Sequence, residues 1–209
     1  MRRTINTAQT QWHAVHGQCY TESAMDLRPR KTRRARDEAG EAHFLTYSCA
    51  GRMPLLTRDR TRHWVVEALA ATRRELDVAL WAYVIMPEHV HVLLYPRGGD
   101  REMRRILAAL KRPVSDAARA FLEGSGNDEW LERLSVEYPS RRVFRFWQAG
   151  GGFDRNVLSE KTVPAVIDYI HANPIRRGLV ARASDWEWSS ARFWEGCDDV
   201  LLRMDHPSD

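Results

Sequence analysis

The chain has 209 residues, a mass of 24.2 kDa and a formal net charge of +4, which is one domain able to bury a core without disulfide or metal staples. Apolar residues make up 44% and charged residues 29%, so a wholly disordered chain is excluded, and the longest apolar run, Val78 to Met86, is too short to span a bilayer. The three cysteines, Cys19, Cys49 and Cys197, are too few and too scattered for a disulfide framework, and no apolar stretch follows Met1-Arg2-Arg3, so a cytoplasmic location is expected, nucleoid-associated when DNA is bound.

Residues 1–41 carry no apolar period, and Arg28 to Arg36 is dense in base; this reads as a flexible basic arm. His43 to Cys49 is rich in strand formers. Arg58 to Leu76 reads as a helix with Val65, Leu69 and Leu76 on one side. Val78 to Met86 is apolar without alternation, as a central strand covered on both faces would be. Pro87-Glu88 breaks it, and His89 to Tyr95 resumes as a strand, which makes an antiparallel hairpin.

Arg101 to Arg112 is expected as a second helix with Met103, Ile106, Leu107 and Leu110 inward. Pro113 should break or kink it before it resumes through Phe121. A loop follows at Gly124-Ser125-Gly126-Asn127. Arg142 to Gln148 is expected as a further strand, ended by Gly150-Gly151-Gly152. A third helix should run from Val163 to Ala172, capped by Thr162 and stopped before Pro174. The order strand–helix–strand–strand–helix–strand predicts an α+β, ferredoxin-like antiparallel sheet with helices on one face, plus a C-terminal helix. The domain is expected over 42–194, with 195–209 as a flexible acidic tail.

Charge is the next clue. Lysine and arginine total 32, only three of them lysine (Lys31, Lys111 and Lys161), so 29 are arginine. A GC-rich genome produces the same bias. Arginine also binds phosphate with a planar fork and stacks on bases, which makes a polyanion a candidate partner.

Two constellations could carry chemistry. In His89-Val90-His91, side chains two apart on a strand share a face, so both imidazoles can converge on one cation. Two half-exposed histidines at a strand end are the plainer reading of that motif alone. On the third helix, Tyr169 and Asn173 are i and i+4 neighbours at the flank of the stripe Val163, Val166, Ile167 and Ile170. His171 falls on the opposite flank. Glu88 reads as a turn residue, while Asp154 and Arg155 have no place assigned by sequence.

The runs Ala82-Tyr83-Val84-Ile85-Met86-Pro87-Glu88-His89-Val90-His91 and Asp168-Tyr169-Ile170-His171-Ala172-Asn173-Pro174-Ile175-Arg176-Arg177-Gly178-Leu179-Val180 resemble the two signatures of the REP-associated tyrosine transposases. These belong to the His-hydrophobic-His nuclease superfamily. Phe146-Trp147-Gln148, leading to Gly152-Phe153-Asp154-Arg155, resembles the family's segment between the signatures and Ser184-Asp185-Trp186 the one after, while the stretch Leu122 to Ser140 looks like an insert. The resemblance implies Tyr169 as the nucleophile that forms a 5′-phosphotyrosine link and releases a 3′-hydroxyl. It implies His89, His91 and Asn173 as ligands of Mg²⁺ or Mn²⁺, and single-stranded DNA folded into a palindromic hairpin as substrate. A homodimer is one arrangement it implies. Arg104, Arg105, Lys111, Arg112, Arg141, Arg142, Arg145, Arg176 and Arg177 are the DNA-binding candidates, interleaved with Phe144, Phe146 and Trp147. The competing reading is a binder of structured nucleic acid without catalysis on the same fold. A third, a histidine-based hydrolase of small phosphates, lacks a carboxylate-rich ligand set.

Overall fold

The computed structural model describes residues 41–97 and 103–208. The arginine run 28–36 of the expected arm, and the start of the expected second helix at Arg101, lie outside them. The described chain forms β1 (Ala42–Ser48), α1 (Asp59–Glu75), β2 (Val78–Ile85), β3 (His89–Pro96), α2 (Met103–Gly124), α3 (Asp128–Arg133), β4 (Ser135–Tyr138), β5 (Arg141–Phe144), β6 (Phe153–Val157), α4 (Val163–Arg176) and α5 (Ala191–Trp194). β2, β3, β1 and β6 make one antiparallel sheet in that order, and β4 and β5 a separate hairpin. Order and connectivity are those of the ferredoxin-like arrangement.

Alternation along the strands divides the sheet into two faces. Leu45, Tyr47, Val90, Val92 and Leu94 pack with Val65 and Leu69 of α1 and Ile106 and Leu110 of α2. The other face, with Phe44, Thr46, His89 and His91, receives α4. Among described helices, none is long and apolar enough to cross a membrane.

The expected fourth strand is displaced. Arg141–Phe144 pairs with β4 rather than the main sheet, and Phe146 and Trp147 sink into the core. The strand that completes the sheet is Phe153-Asp154-Arg155-Asn156-Val157, on the far side of the three glycines. It is an edge strand with mostly polar side chains, so hydrophobic periodicity does not mark it. β4 and the short α3, capped by Asn127 Oδ1 accepting from Trp130 N at 3.3 Å, lie in the stretch that sequence reading left as an insert.

Neither proline ends its helix. The buried stripe Met103, Ile106, Leu110, Val114 and Ala118 continues across Pro113, which faces solvent, so packing of the whole helix outweighs one missing backbone bond. In α4, Asn173 Nδ2 donates to Tyr169 O at 2.8 Å and to Ile170 O at 3.2 Å. Ile170 O is the carbonyl that the missing N–H of Pro174 leaves open. Thr162 precedes α4 without capping it; its hydroxyl donates instead to Ser159 O at 2.7 Å.

β2 is buried throughout, yet it is an edge strand rather than the central one. Its outer edge is covered by the C-terminal segment: Ile85 N donates to Trp188 O at 2.8 Å, Ser190 N to Tyr83 O at 3.0 Å and Trp194 Nε1 to Trp81 O at 2.9 Å. The expected flexible tail is therefore corrected. Asp205 N donates to Leu80 O at 2.8 Å, while its carboxylate accepts from Leu80 N at 2.9 Å, Arg73 at 2.7 Å and Arg97 at 3.1 Å. Backbone groups of an edge strand need partners, and here the tail supplies them. Asp205→Ala is expected to cost about 1–3 kcal/mol, because it strands the buried Leu80 N–H. Asp198→Ala, at an exposed carboxylate, is expected to change stability by less than about 0.5 kcal/mol. Equal melting temperatures for the two variants would refute this role of the tail.

Candidate active site at the histidine face

β3 carries His89 and His91 on one face, and β1 sets Ser48 opposite the first and Thr46 opposite the second. His91 is 5% exposed. Its Nδ1 lies 2.7 Å from Thr46 Oγ1, and the Phe44 ring stacks on it with centroids 5.5 Å apart. His89 Nδ1 donates to Glu88 Oε1 at 3.1 Å, so its proton sits on that nitrogen. Both rings are thus held from behind, and their Nε2 atoms meet at 3.0 Å.

Tyr169 reaches the same place from α4. Its ring centroid lies 5.9 Å from that of His91 and 5.8 Å from that of Phe44. Arg176 places its guanidinium 4.9 Å from the Tyr169 ring centroid. Arg177 Nη1 donates to Glu88 Oε1 at 2.6 Å, so one carboxylate ties the end of the tyrosine helix to the first histidine. The Asn173 side chain, whose amide nitrogen bonds Tyr169 O and Ile170 O, is close enough to His91 to favour that ring's protonated form. Two imidazoles, the phenol and the amide therefore come together within one chain.

Electrostatics follow from burial. Desolvation lowers the pKa of His89 and, with the neighbouring His89 charge, lowers that of His91 well below the usual imidazole range. Burial pushes Glu88 up, but the Arg177 hydrogen bond and the His89 charge outweigh it and hold the carboxyl below its ordinary range. Both rings are then neutral at pH 7, the form that ligates a cation.

The donor set fits a divalent ion. Two cis ligands of an octahedral ion with bonds of about 2.1 Å stand roughly 3.0 Å apart, the separation of the two Nε2 atoms. Asn173 would supply an amide oxygen as the third donor. Among described residues no group of three or more His, Cys, Asp or Glu is placed to hold a metal, so a closed zinc site is not built here. Mixed nitrogen and oxygen donors suit Mg²⁺ or Mn²⁺, with nitrogen favouring Mn²⁺.

Other candidates are elsewhere. His171 Nε2 meets Ser190 Oγ at 2.8 Å, beneath the C-terminal segment. Asp154 pairs with His43 at 2.9 Å and stands opposite Leu45, on the other face. Arg155 stands opposite Phe44, on the histidine face. Arg104, Arg105 and Arg112 face solvent on α2, across the sheet from Tyr169. Lys111 Nζ donates to Gly150 O at 2.9 Å, and burial lowers its pKa; it anchors the glycine turn. Arg141 is exposed on β5, Arg142 pairs with Glu137 at 3.1 Å, and Arg145 bonds the Tyr138 hydroxyl. Phe146 and Trp147 are core and Phe144 is half-buried. Of the basic candidates, Arg176 and Arg177 stand at the site.

Sequence reading missed the supporting residues. Glu88 sits in the turn as expected, but its carboxylate folds back onto His89. Thr46 had one available signal, a hydroxyl between apolar neighbours on a buried strand, which Ser48 two residues on shares in part. Gly152 secures that part of β1: a Cβ there would lie 2.3 Å from Thr46 O, and its φ is +84°.

No family model matches the chain. In fold, the chain is similar to a solved REP-associated tyrosine transposase bound to a REP hairpin, with a TM-score of 0.60 and 20% identity over 84% of this chain and 93% of that one. In sequence it is 23% identical over 123 residues to the REP-associated tyrosine transposase of Escherichia coli K12, covering 59% of this chain and 60% of that protein. The match thus spans less than two thirds of that relative. A Haemophilus influenzae protein carrying the same family name is 23% identical over 175 residues, covering 72% of this chain and 90% of its own.

Two outcomes test the site's construction. Gly152→Ala is expected to destabilise by more than Gly150→Ala. Both residues have positive φ, but no atom of the described residues lies within 4 Å of a Cβ at Gly150, leaving only backbone strain of about 1–3 kcal/mol there. Equal thermal shifts would refute the close approach. The second outcome concerns pH. An unfolded histidine takes up a proton near pH 6.5, while His89 and His91 in the fold resist it, so the unfolded state binds more protons below that value. Stability measured in chelator should fall as pH drops below about 6.5, and His91→Gln should flatten the fall. A flat melting temperature across that range in the parent protein would contradict buried neutral imidazoles.

Proposed function

We propose that this chain is a transposase of the REP-associated tyrosine type, a metal-dependent nuclease and strand transferase acting on hairpin-forming single-stranded DNA. The observation that carries the proposal is the phenol of Tyr169 packed 5.9 Å, centroid to centroid, from an imidazole whose Nε2 faces a second Nε2 at 3.0 Å. The relatives' names point the same way, and the hairpin in the solved relative suggests the substrate.

A phenol with an ordinary pKa near 10 is a weak nucleophile at neutral pH and needs activation. His89, His91 and Asn173 would hold a divalent cation, which would polarise the scissile phosphate and stabilise its developing charge. Tyr169 Oη attacks phosphorus, forming a phosphotyrosine bond to the 5′ side as the bond to the 3′ oxygen breaks. The departing oxygen gains one proton and the phenol gives one up, so charge and protons balance. The bond energy stays in the ester, and a 3′-hydroxyl can reverse the step on another strand without a nucleotide cofactor.

Thr46 and Glu88 orient the two rings so that both Nε2 lone pairs point inward. Arg176, stacked on the Tyr169 ring, and Arg177 present cations beside the nucleophile, where a phosphate must sit. Arg142 and Arg145 would contact DNA at the β4–β5 hairpin. Arg104, Arg105, Lys111 and Arg112 are proposed only for DNA that extends beyond the site. All the catalytic parts lie in one chain, so a partner copy need not lend its tyrosine.

Incubation with a hairpin oligonucleotide bearing unpaired flanks, with Mn²⁺, is expected to yield a covalent protein–DNA adduct on a denaturing gel. Tyr169→Phe should abolish the adduct and leave DNA binding intact. Chelator, or His91→Ala, should lower adduct formation by about 10²-fold or more. Binding without an adduct in either Mg²⁺ or Mn²⁺ would replace this reading with that of a non-catalytic hairpin binder.

A further inference from the structure

Past the end of β1 lies a second feature that the catalytic reading does not use. A pocket of about 350 Å³ opens between the inserted hairpin and the end of β1. Its walls include Gly51, Arg133, Val136, Tyr138, Arg145 and Trp147. That volume is at the small end of ligand sites.

The lining has the chemistry of a nucleotide subsite. Val136 and Tyr138 are each about 40% exposed, large apolar surfaces left open on β4. Arg145 is half-buried, with its guanidinium 5.7 Å from the Tyr138 ring centroid. Its Nε is buried and has no hydrogen-bond partner among the described residues, although a buried donor ordinarily has one. Arg133 adds a second guanidinium, held over the Trp130 ring at 4.8 Å. Aromatic faces with arginine forks bind unpaired bases and their phosphates.

Position connects this pocket to the chemistry. The turn Cys49 to Arg52 stands between the two. Cys49 N donates to Glu88 O at 2.8 Å, and Arg52 is close enough to His89 for its charge to be felt there. On its other side the same turn presents Gly51 to the pocket. Gly51 and Arg52 both have left-handed backbones, with φ of 58° and 54°. For arginine that conformation carries strain, which a fold keeps where it aims a side chain. A strand whose phosphate lies at the histidines would pass Arg52 and reach the pocket.

We propose that this pocket receives one unpaired nucleotide next to the scissile phosphate, its base against Tyr138 and its phosphate on Arg145 and Arg133. The inference rests on the transposase reading for the identity of the strand. It makes the β4–β5 hairpin the element that selects the sequence around the cleavage point.

The test uses the full chain and hairpin oligonucleotides carrying 5-iodouracil at each unpaired flanking position in turn. Irradiation is expected to join one of these positions to Tyr138 or Trp147, located by peptide mass spectrometry. Tyr138→Ala should weaken binding of the flanked hairpin by about tenfold or more, with no change for a blunt hairpin lacking flanks, and Arg145→Gln should weaken the flanked hairpin at least as much. Crosslinks that all map elsewhere, or variants that bind both hairpins as the parent does, would overturn the proposal. The two readings fail separately. A Tyr169 adduct with no Tyr138 or Trp147 crosslink removes the pocket and keeps the transposase; the crosslink with no Tyr169 adduct does the reverse.

Discussion

Two imidazole nitrogens held 3.0 Å apart in a mostly apolar layer are the constraint on which the structure depends. Burial favours the neutral form of both rings. They keep their geometry only because each is gripped on its far nitrogen, His91 by Thr46 and His89 by Glu88. Thr46 in turn belongs to β1, an inner strand paired on both sides. Gly152 lets the chain pass against Thr46 where any side chain would collide. The site is therefore as rigid as the middle of the sheet.

The two layers of helices divide the work. α1 and α2 cover one face and supply most of the apolar burial that holds the sheet together. α4 covers the other face and brings Tyr169 and Asn173 to the histidines. Its last turn would be weak at Pro174, but Asn173 occupies the carbonyls there. The same side chain is also near enough to His91 to favour its protonated form. One residue thus supports the helix and faces the site, which explains why an asparagine stands beside a proline in the middle of an α-helix.

The arginines of the described residues serve several separate tasks. Arg176 and Arg177 lie against the tyrosine and the carboxylate behind His89. Arg73 and Arg97 bind Asp205 and secure the tail. Arg62 is sandwiched near Trp186 and Trp188. Composition alone suggested a polyanion partner, yet several of these cations serve the fold. Arginine suits both tasks because its planar fork stacks and bonds at once.

The sequence by itself determined the apolar strands, the shared face of His89 and His91, and the neighbourhood of Tyr169 and Asn173. Those features follow from local periods of two and 3.6 residues, which any short window displays. It misplaced the fourth strand, the helix end at Pro174 and the tail after residue 194, and at Pro113, where a break or kink was expected, the helix runs on from Met103 to Gly124. It also left Thr46 and Glu88 without roles. Tertiary structure decided these, because a polar edge strand, a covered edge and a second-layer hydrogen bond depend on partners far along the chain. Thr46 is 45 residues from His91, Asp205 is 125 from Leu80, and no local pattern encodes which distant group will stand opposite.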